Sequence, residues 1–310
     1  MNESRTPRPP HPSSADALPH FSVIVPTYAR PAQLRRCLDA LARLDYPRDR
    51  VEVIVVDDGS PEPVDASALR IAGAPTLTVV RQPNAGPARA RNAGARAARG
   101  SWLAFTDDDC APAPNWLRAF ARAARATPDA ILGGTVANVL SDDPYATATD
   151  ALTRFLYDYL PTRPDAGSFF MTSNIAVRRE VFEAVGGFDT RFRRAAGEDR
   201  EFCDRCTHAG HHLRLVPDAD VRHAHALTLG GFVRQHVQYG RGAPYYHRAR
   251  ARRGARAIPV QPVAFYGAML RHPWRTGAPA PARTAALLVL AQCAYVAGYA
   301  WERMASEGGR

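Results

Sequence analysis

Residues 51–60 read Val51-Glu52-Val53-Ile54-Val55-Val56-Asp57-Asp58-Gly59-Ser60. An almost wholly β-branched run of this kind is expected of a parallel strand covered on both faces, which has no wet side to alternate with. It stops on two carboxylates and a Gly-Ser turn. Upstream, Phe21 to Val25 reads as another buried strand, ended by Pro26. Between the two, Pro31 to Leu44 has proline in its first turn and Leu34, Leu38 and Leu41 on one face, the pattern of a one-sided helix. Downstream, strands are predicted at about Leu77 to Val80 and Trp102 to Phe105, with a helix at about Pro87 to Ala98 between them. Strands alternating with helices over short links predict an α/β fold with a mostly parallel, doubly wound sheet. Ligands on such sheets bind beyond the carboxyl ends of the strands, so the site is expected just after Val25, Val56 and Phe105.

The second half is less regular. A strand near Ile131 to Ala137 precedes a helix at about Tyr145 to Tyr159, another helix starts near Arg178, and a further one runs from about Glu198 to Ala209. Short strands are predicted near Leu213 to Val216 and Asp220 to His223. No internal repeat is present. At 310 residues, 46% hydrophobic and 23% charged, the chain has the composition of an ordinary soluble protein with a sizeable core. Its net charge is +10 and it contains no lysine, so every basic side chain is arginine. Arginine's planar fork suits phosphate and carboxylate, and a basic surface points toward anionic partners. Five scattered cysteines do not form the even set of a secreted disulfide framework. Residues 1–19 are rich in Pro, Ser and His and are expected to be disordered. With no apolar leader there, no signal peptide is expected and the cytoplasm is the expected location.

The three strand ends carry polar groups: Pro26-Thr27-Tyr28, Asp57-Asp58-Gly59-Ser60 and Thr106-Asp107-Asp108-Asp109. Clustered carboxylates repel one another, and a divalent cation relieves the repulsion. Oxygen ligands suit Mg²⁺ or Mn²⁺, which commonly bridge carboxylates to substrate phosphates. The plainer reading is an acidic turn in which Asp107 or Asp109 caps the next helix.

With these motifs in order, the chain resembles glycosyltransferase family 2, whose nucleotide-sugar-binding fold is called GT-A. The matching segments are Val23 to Tyr28, Val55 to Ser60, Asn84 to Gly86, Ala90-Arg91-Asn92-Ala93-Gly94, Phe105 to Asp109, Gly186-Gly187-Phe188-Asp189 and Gly197-Glu198-Asp199. The resemblance covers about residues 21–225. It implies an inverting, metal-dependent enzyme that moves a sugar from a nucleotide-sugar donor to an acceptor hydroxyl. It further implies that Pro26, Thr27, Tyr28, Asp57, Asp58, Arg91, Asp107 and Asp108 bind the nucleotide. Asp107 and Asp109 form an Asp-x-Asp metal motif for Mn²⁺ or Mg²⁺, with His223 completing the site. Asp199 is the implied base, and Asn174 and Glu198 are candidates for touching the donor or acceptor sugar. The chemistry itself calls for a base, because an acceptor hydroxyl is a poor nucleophile until a carboxylate takes its proton. The helix-start reading of Glu198-Asp199, two acids favoured by the helix dipole, is compatible with that role.

The corresponding domain plan is a tail at 1–19, a catalytic domain at 20–240 and a basic linker with a helical extension at 241–310. The catalytic domain divides into a nucleotide-binding part (20–110) and an acceptor-side part (111–240). Cys203-x-x-Cys206 with His208, His211 and His212 allows a zinc reading, but the two thiols fall one helical turn apart without a second pair, so buried structural thiols are expected. In the extension, Arg241, Arg248, Arg250, Arg252, Arg253 and Arg256 interleave with Tyr245, Tyr246 and His247. They read as a solvated basic segment or as a patch for anionic headgroups. Thr284 to Trp301 has no charge but is rich in alanine, which leaves a packed or oligomer-forming helix, interfacial contact with a membrane, or a span. A saccharide, glycolipid or lipid-linked acceptor at the inner membrane face, in cell-envelope polysaccharide synthesis, follows as an expectation. Two rivals are a nucleotidyltransferase, disfavoured by Pro26 to Arg30 where a glycine-rich loop belongs, and a basic nucleic-acid-binding protein, which leaves the acidic rim unexplained. A nucleic-acid partner is therefore not expected.

Overall fold

The computed structural model describes residues 18–307 apart from 68, 70–73, 161–167, 193–195, 257 and 259. Residues 1–17 of the tail expected to be disordered lie outside the described residues. The first strands form as their sequence dictates. β1 (Phe21–Thr27) and β2 (Val51–Asp57) are buried almost throughout and pair in parallel, Val23 beside Val53 and Thr27 beside Asp57. β3 (Thr76–Arg81) adds in parallel outside β2, and β4 (Trp102–Phe105) in parallel on the other side of β1. Alternation along β1 sends Val23 and Val25 into one core and Ile24 into the other. The first core holds α1 (Pro31–Ala42) through Leu34, Leu38 and Leu41, and α3 (Trp116–Ala126) through Trp116, Leu117 and Phe120. The second holds α2 (Pro87–Ala97), α5 (Arg179–Ala184) and α6 (Glu198–His208), with Phe105, Phe182, Phe188 and Phe202 stacked edge and face. Helices thus cover both faces, as the doubly wound reading requires.

Beyond β4 the sheet becomes mixed. The strand order is β3-β2-β1-β4-β7-β6-β8-β5, where β5 is Cys110–Pro112, β6 is Ile131–Asn138, β7 is Ile175–Arg178 and β8 is Leu213–His223. β7 runs antiparallel to both β4 and β6, β8 runs parallel to β6, and β5 runs antiparallel to β8. The two short strands expected at 213–223 are one strand with a bulge: Gly134 faces Val216 and Thr135 faces Asp220. Pro217, which has no N–H to give, lies in the skipped segment. β5, α3 and β7 are elements that the sequence reading did not foresee.

The extension is helical and packs against an earlier helix. α4 (Pro144–Tyr159) is capped by Asp143, whose carboxylate accepts from the N–H groups of Tyr145 and Ala146 and also holds Leu227 N–H at 2.8 Å. α7 (Leu229–Arg252) runs unbroken through residue 240, so the helical part begins ahead of the expected linker. α8 (Val263–Arg275) and α9 (Pro281–Glu307) complete it. α9 is packed on one side: Leu288 and Ala291 are fully buried against groups from α4, α7 and α8. α7 and α9 approach so closely that a β-carbon on Gly298 would fall on the Val237 carbonyl oxygen. Its other side exposes Val289, Val296, Trp301 and Met304.

Candidate functional site

β1 sits between β2 on one side and β4 on the other, so the crevice of the parallel part opens at the carboxyl ends of β1 and β4. The Thr27 hydroxyl donates to Asp108 Oδ2 across it at 2.7 Å. Burial pushes the Asp108 carboxyl up to about 6, with Asp109 and Asp107 reinforcing the shift and Thr27 and Arg30 opposing it. Arg30 reaches both Asp108 Oδ1 (3.3 Å) and Asp109 Oδ2 (3.2 Å). Ser60 N–H (2.8 Å), Val64 N–H (3.2 Å) and Arg81 (2.8 Å) all donate to the buried Asp57. Burial opposes the charge on Asp57, and those donors hold its carboxyl below the ordinary value. Asp58 accepts from Gln82 Nε2 (2.7 Å) and from the N–H groups of Ala85 (3.0 Å) and Gly86 (2.9 Å). Asp57 and Asp58 therefore shape the rim with the chain's own donors, while Tyr28 stands exposed beside it and Pro26 closes the strand.

The acidic triplet meets its counterpart through the far edge of the sheet. β5 follows Asp109 directly and pairs with the end of β8, Cys110 opposite His223. This lays His223 Nε2 at 3.2 Å from Asp109 Oδ1 and His225 Nδ1 at 3.3 Å from Oδ2, the two rings stacked 5.4 Å apart. Burial alone would raise the Asp109 carboxyl, but bonds and charge from both histidines hold it well below the usual range. Burial would likewise lower His223, yet Asp109 raises it. Among the described residues, the group of metal-binding side chains that converges is Asp109, His223 and His225, with ligand atoms within 4.8 Å of one another. One carboxylate oxygen and two imidazole nitrogens make a donor set that fits a first-row divalent ion, and Mn²⁺ better than the oxygen-seeking Mg²⁺. The set differs from the expected one at two positions: His225 joins it, and the carboxylate of Asp107 turns instead to Arg91.

Arg91 ties the two halves of the site together. From α2 its buried guanidinium gives Nη2 to Asp107 (2.7 Å) and Nη1 to Glu198 (3.1 Å), and its buried Nε finds no partner among the described residues. Asn92, next to it, grips the backbone of Phe188 in both directions (2.8 and 2.9 Å) and so pins the turn after Gly186-Gly187. Glu198 and Asp199 open α6 after a left-handed Gly197. Burial, and then the neighbouring Asp199 charge, push the Glu198 carboxyl up to about 7. Burial raises the Asp199 carboxyl too, against a bond from Arg200 N–H at 2.7 Å. A carboxylate of raised proton affinity suits a general base. Tyr239 of α7 was not singled out by sequence. Burial pushes its phenol up to about 12, opposed by Gln235 and reinforced by the charges of Asp199, Glu198 and Asp107.

Other expected residues have structural roles. Asn174 Oδ1 accepts from Trp116 Nε1 (2.8 Å), and its Nδ2 donates to the carbonyls of Thr135 (2.7 Å) and Ala219 (2.8 Å). Its amide thus joins α3 to β6 and β8. Cys203 and Cys206 are buried thiols, as expected, and burial pushes Cys206 up to about 12. Of the basic segment, Arg241 pairs with Glu302 (2.8 Å), Arg250 with Asp204, and Arg253 with Glu201 and Asp204 (both 2.6 Å). Those three arginines turn inward and bind α7 to α6 and α9.

Residues 22–186 match the family model described as glycosyl transferase family 2, and residues 161–228 the one described as N-terminal domain of galactosyltransferase. Glycosyltransferase AglE of Haloferax volcanii is 29% identical over 227 residues, which cover 73% of this chain and 73% of that protein. Pre-mycofactocin glycosyltransferase of Mycobacterium tuberculosis is 30% identical over 243 residues, 76% of this chain but 49% of that protein. The chain thus spans about half the length of the mycobacterial relative. In fold it is similar to mannosyltransferase PcManGT from Pyrobaculum calidifontis, solved with GDP-Man and Mn²⁺ (TM-score 0.58, 23% identity, 94% of this chain and 81% of that one). It is also similar to S. aureus TarS residues 1–349, solved with UDP (TM-score 0.54, 17% identity, 94% and 92%).

Proposed function

The chain belongs to glycosyl transferase family 2, and is a glycosyltransferase with the GT-A fold; we propose that it moves a sugar from a nucleoside-diphosphate donor to an acceptor hydroxyl with inversion at the anomeric carbon. The observation that carries this reading is the convergence of Asp109, His223 and His225 next to Asp107, which Arg91 links to Glu198 at the start of α6. Asp199 takes the proton of the acceptor hydroxyl as that oxygen bonds to the anomeric carbon and the bond to the diphosphate breaks. A single displacement with one base inverts the centre. Arg91 holds Asp107 and Glu198 in place and keeps a positive charge near the leaving diphosphate. Thr27 and Arg30 fix Asp108, and Tyr28, exposed at the rim, is placed to meet the nucleotide. Asp109, His223 and His225 would hold Mn²⁺, which when bound supplies charge that offsets the charge growing on the leaving group.

PcManGT was solved with Mn²⁺ and a nucleotide sugar, which supports the same pairing here. We place the enzyme in the cytoplasm, peripheral on the inner membrane face, acting on a saccharide or glycolipid acceptor of the cell envelope. Among the described residues one helix, Pro281–Ala305, is long and apolar enough to cross a membrane by length and composition. Its packed inner side favours lying along the surface with Val289, Val296, Trp301 and Met304 outward.

The test is thermal unfolding with UDP, GDP or dTDP, with Mn²⁺ and then with EDTA. A ligand at about 100 times its dissociation constant stabilises the fold by about 2.7 kcal/mol. A metal-dependent rise in melting temperature with one nucleotide is expected. No rise with any of them, in folded protein, refutes the reading.

A further inference from the structure

Asp109 is fully engaged before any substrate arrives. Its Oδ1 meets His223, and its Oδ2 meets both His225 (3.3 Å) and Arg30 Nη1 (3.2 Å). The same Arg30 nitrogen lies 3.3 Å from Asp108 Oδ1. Asp108 and Asp109 have side chains only 6% and 7% exposed, whereas that of Arg30 is 46% exposed. Beside the two histidines on Asp109, the two buried carboxylates thus share one guanidinium that reaches in from solvent. A guanidinium keeps its proton at any relevant pH, so it can yield this place only by moving. The backbone aims it there: Ala29, just before it, holds a left-handed φ of 53°, and its N–H donates to the Ser60 hydroxyl at 2.9 Å. A non-glycine residue in that region is strained and is kept there by its surroundings. Arg30 then caps α1, whose first turn contains no acidic residue, so the positive end of that helix lies beside it.

We propose that Arg30 is a placeholder cation: it neutralises Asp108 and Asp109 until a divalent ion takes Asp109, and its released fork then binds the diphosphate of the donor. This rests on the reading of Asp109, His223 and His225 as a metal site. The consequence is linkage. The ion and the diphosphate each raise the affinity for the other by the same factor, and Arg30 carries part of that factor. Neither half of the pair is held well alone, because the ion must displace Arg30 and the diphosphate must find Arg30 displaced.

The experiment is direct Mn²⁺ binding, read as loss of the free-ion electron spin resonance signal, for the wild type, Arg30→Gln and Arg30→Lys, each without nucleotide. UDP and GDP affinities at saturating Mn²⁺ follow by calorimetry. An exposed ion pair of this kind is weak, so Arg30→Gln should bind Mn²⁺ alone roughly two- to fivefold more tightly. It should bind the accepted nucleoside diphosphate about tenfold more weakly, having lost a charge-assisted bond. Arg30→Lys keeps the charge without the fork, so Mn²⁺ affinity should stay near that of the wild type while nucleotide affinity recovers only in part. Binding of Mn²⁺ by Arg30→Gln but not by the wild type would support the placeholder most strongly. Mn²⁺ affinity in Arg30→Gln that is unchanged or weaker overturns the proposal while leaving the metal site standing. Mn²⁺ binding by none of the three overturns the metal reading and the proposal with it.

Discussion

Asp199 and Glu198 stand side by side at the start of α6, both with carboxyls raised by burial, and Glu198 is pushed to about 7. A base works only when deprotonated, so kcat/KM should fall as pH drops through the value of this pair and level off above it. Interacting carboxyls titrate together, and removing one charge lowers the proton affinity of the other. Glu198→Gln should therefore move the acid limb of the pH profile to lower pH, and a limb that stays in place would separate Glu198 from the base. Asp199→Asn should lose roughly 10²- to 10⁴-fold in turnover while nucleotide binding persists. Unchanged turnover would remove Asp199 from the role. At this scale much was legible in sequence, because carboxylates at the ends of buried strands have little other reason to cluster. Asn174 and Asp107 were less legible. A carboxamide or carboxylate near a site is drawn to whichever donor comes first, here Trp116 Nε1 for one and the Arg91 fork for the other.

Among the elements, α7 backs the chain that leads into Glu198 and Asp199. Gly242 lies so close to the strand of chain ahead of α6 that a β-carbon there would fall on the Ala196 carbonyl oxygen. Ala196 N–H in turn donates to Glu198 Oε2 at 2.9 Å. Gly242→Ala should push α7 off this contact, costing about 1–3 kcal/mol of stability as overpacking does, with a fall in turnover measured in the folded fraction. Full turnover in a destabilised protein would show that α7 does not set the geometry of Glu198. Little in the local pattern signals this coupling, since Gly242 sits in an arginine-rich stretch that reads as solvated. The buried ion pairs of Arg250 and Arg253 with Asp204 and Glu201 account for the arginines. Periodicity alone cannot tell an inward arginine from an outward one. α3 is different: Trp116, Leu117, Phe120, Ala123 and Ala124 do carry a helical spacing, but among short alanine and arginine steps the apolar stripe is faint. β5 is three residues long, too short for any pattern to mark.

Taken whole, the molecule is basic, with a net charge of +10 and an apolar stripe on α9. If that stripe and charge bring it to a membrane, binding to vesicles containing anionic phosphatidylserine should weaken steeply between about 0.15 and 1 M salt, as the screening length falls from about 8 to about 3 Å. Trp301→Glu should reduce it further without unfolding the protein, because that ring is exposed. No sedimentation with anionic vesicles at low salt would rule the peripheral location out. The parallel half of the sheet was fully readable, since each strand and helix there is local and follows its neighbour. The antiparallel edge was not, because β7 and β5 find their partners only in three dimensions.

The pairing of β5 with β8 has a kinetic corollary. Asp109 and His225 meet although they lie 116 positions apart in sequence, so closing that loop is entropically costly and is expected late in folding. A contact absent from the rate-limiting barrier changes how fast the native chain opens, not how fast it forms. Mn²⁺ added during refolding should therefore leave the refolding rate unchanged and lengthen the lifetime of the finished protein, making the ion a timer of its persistence.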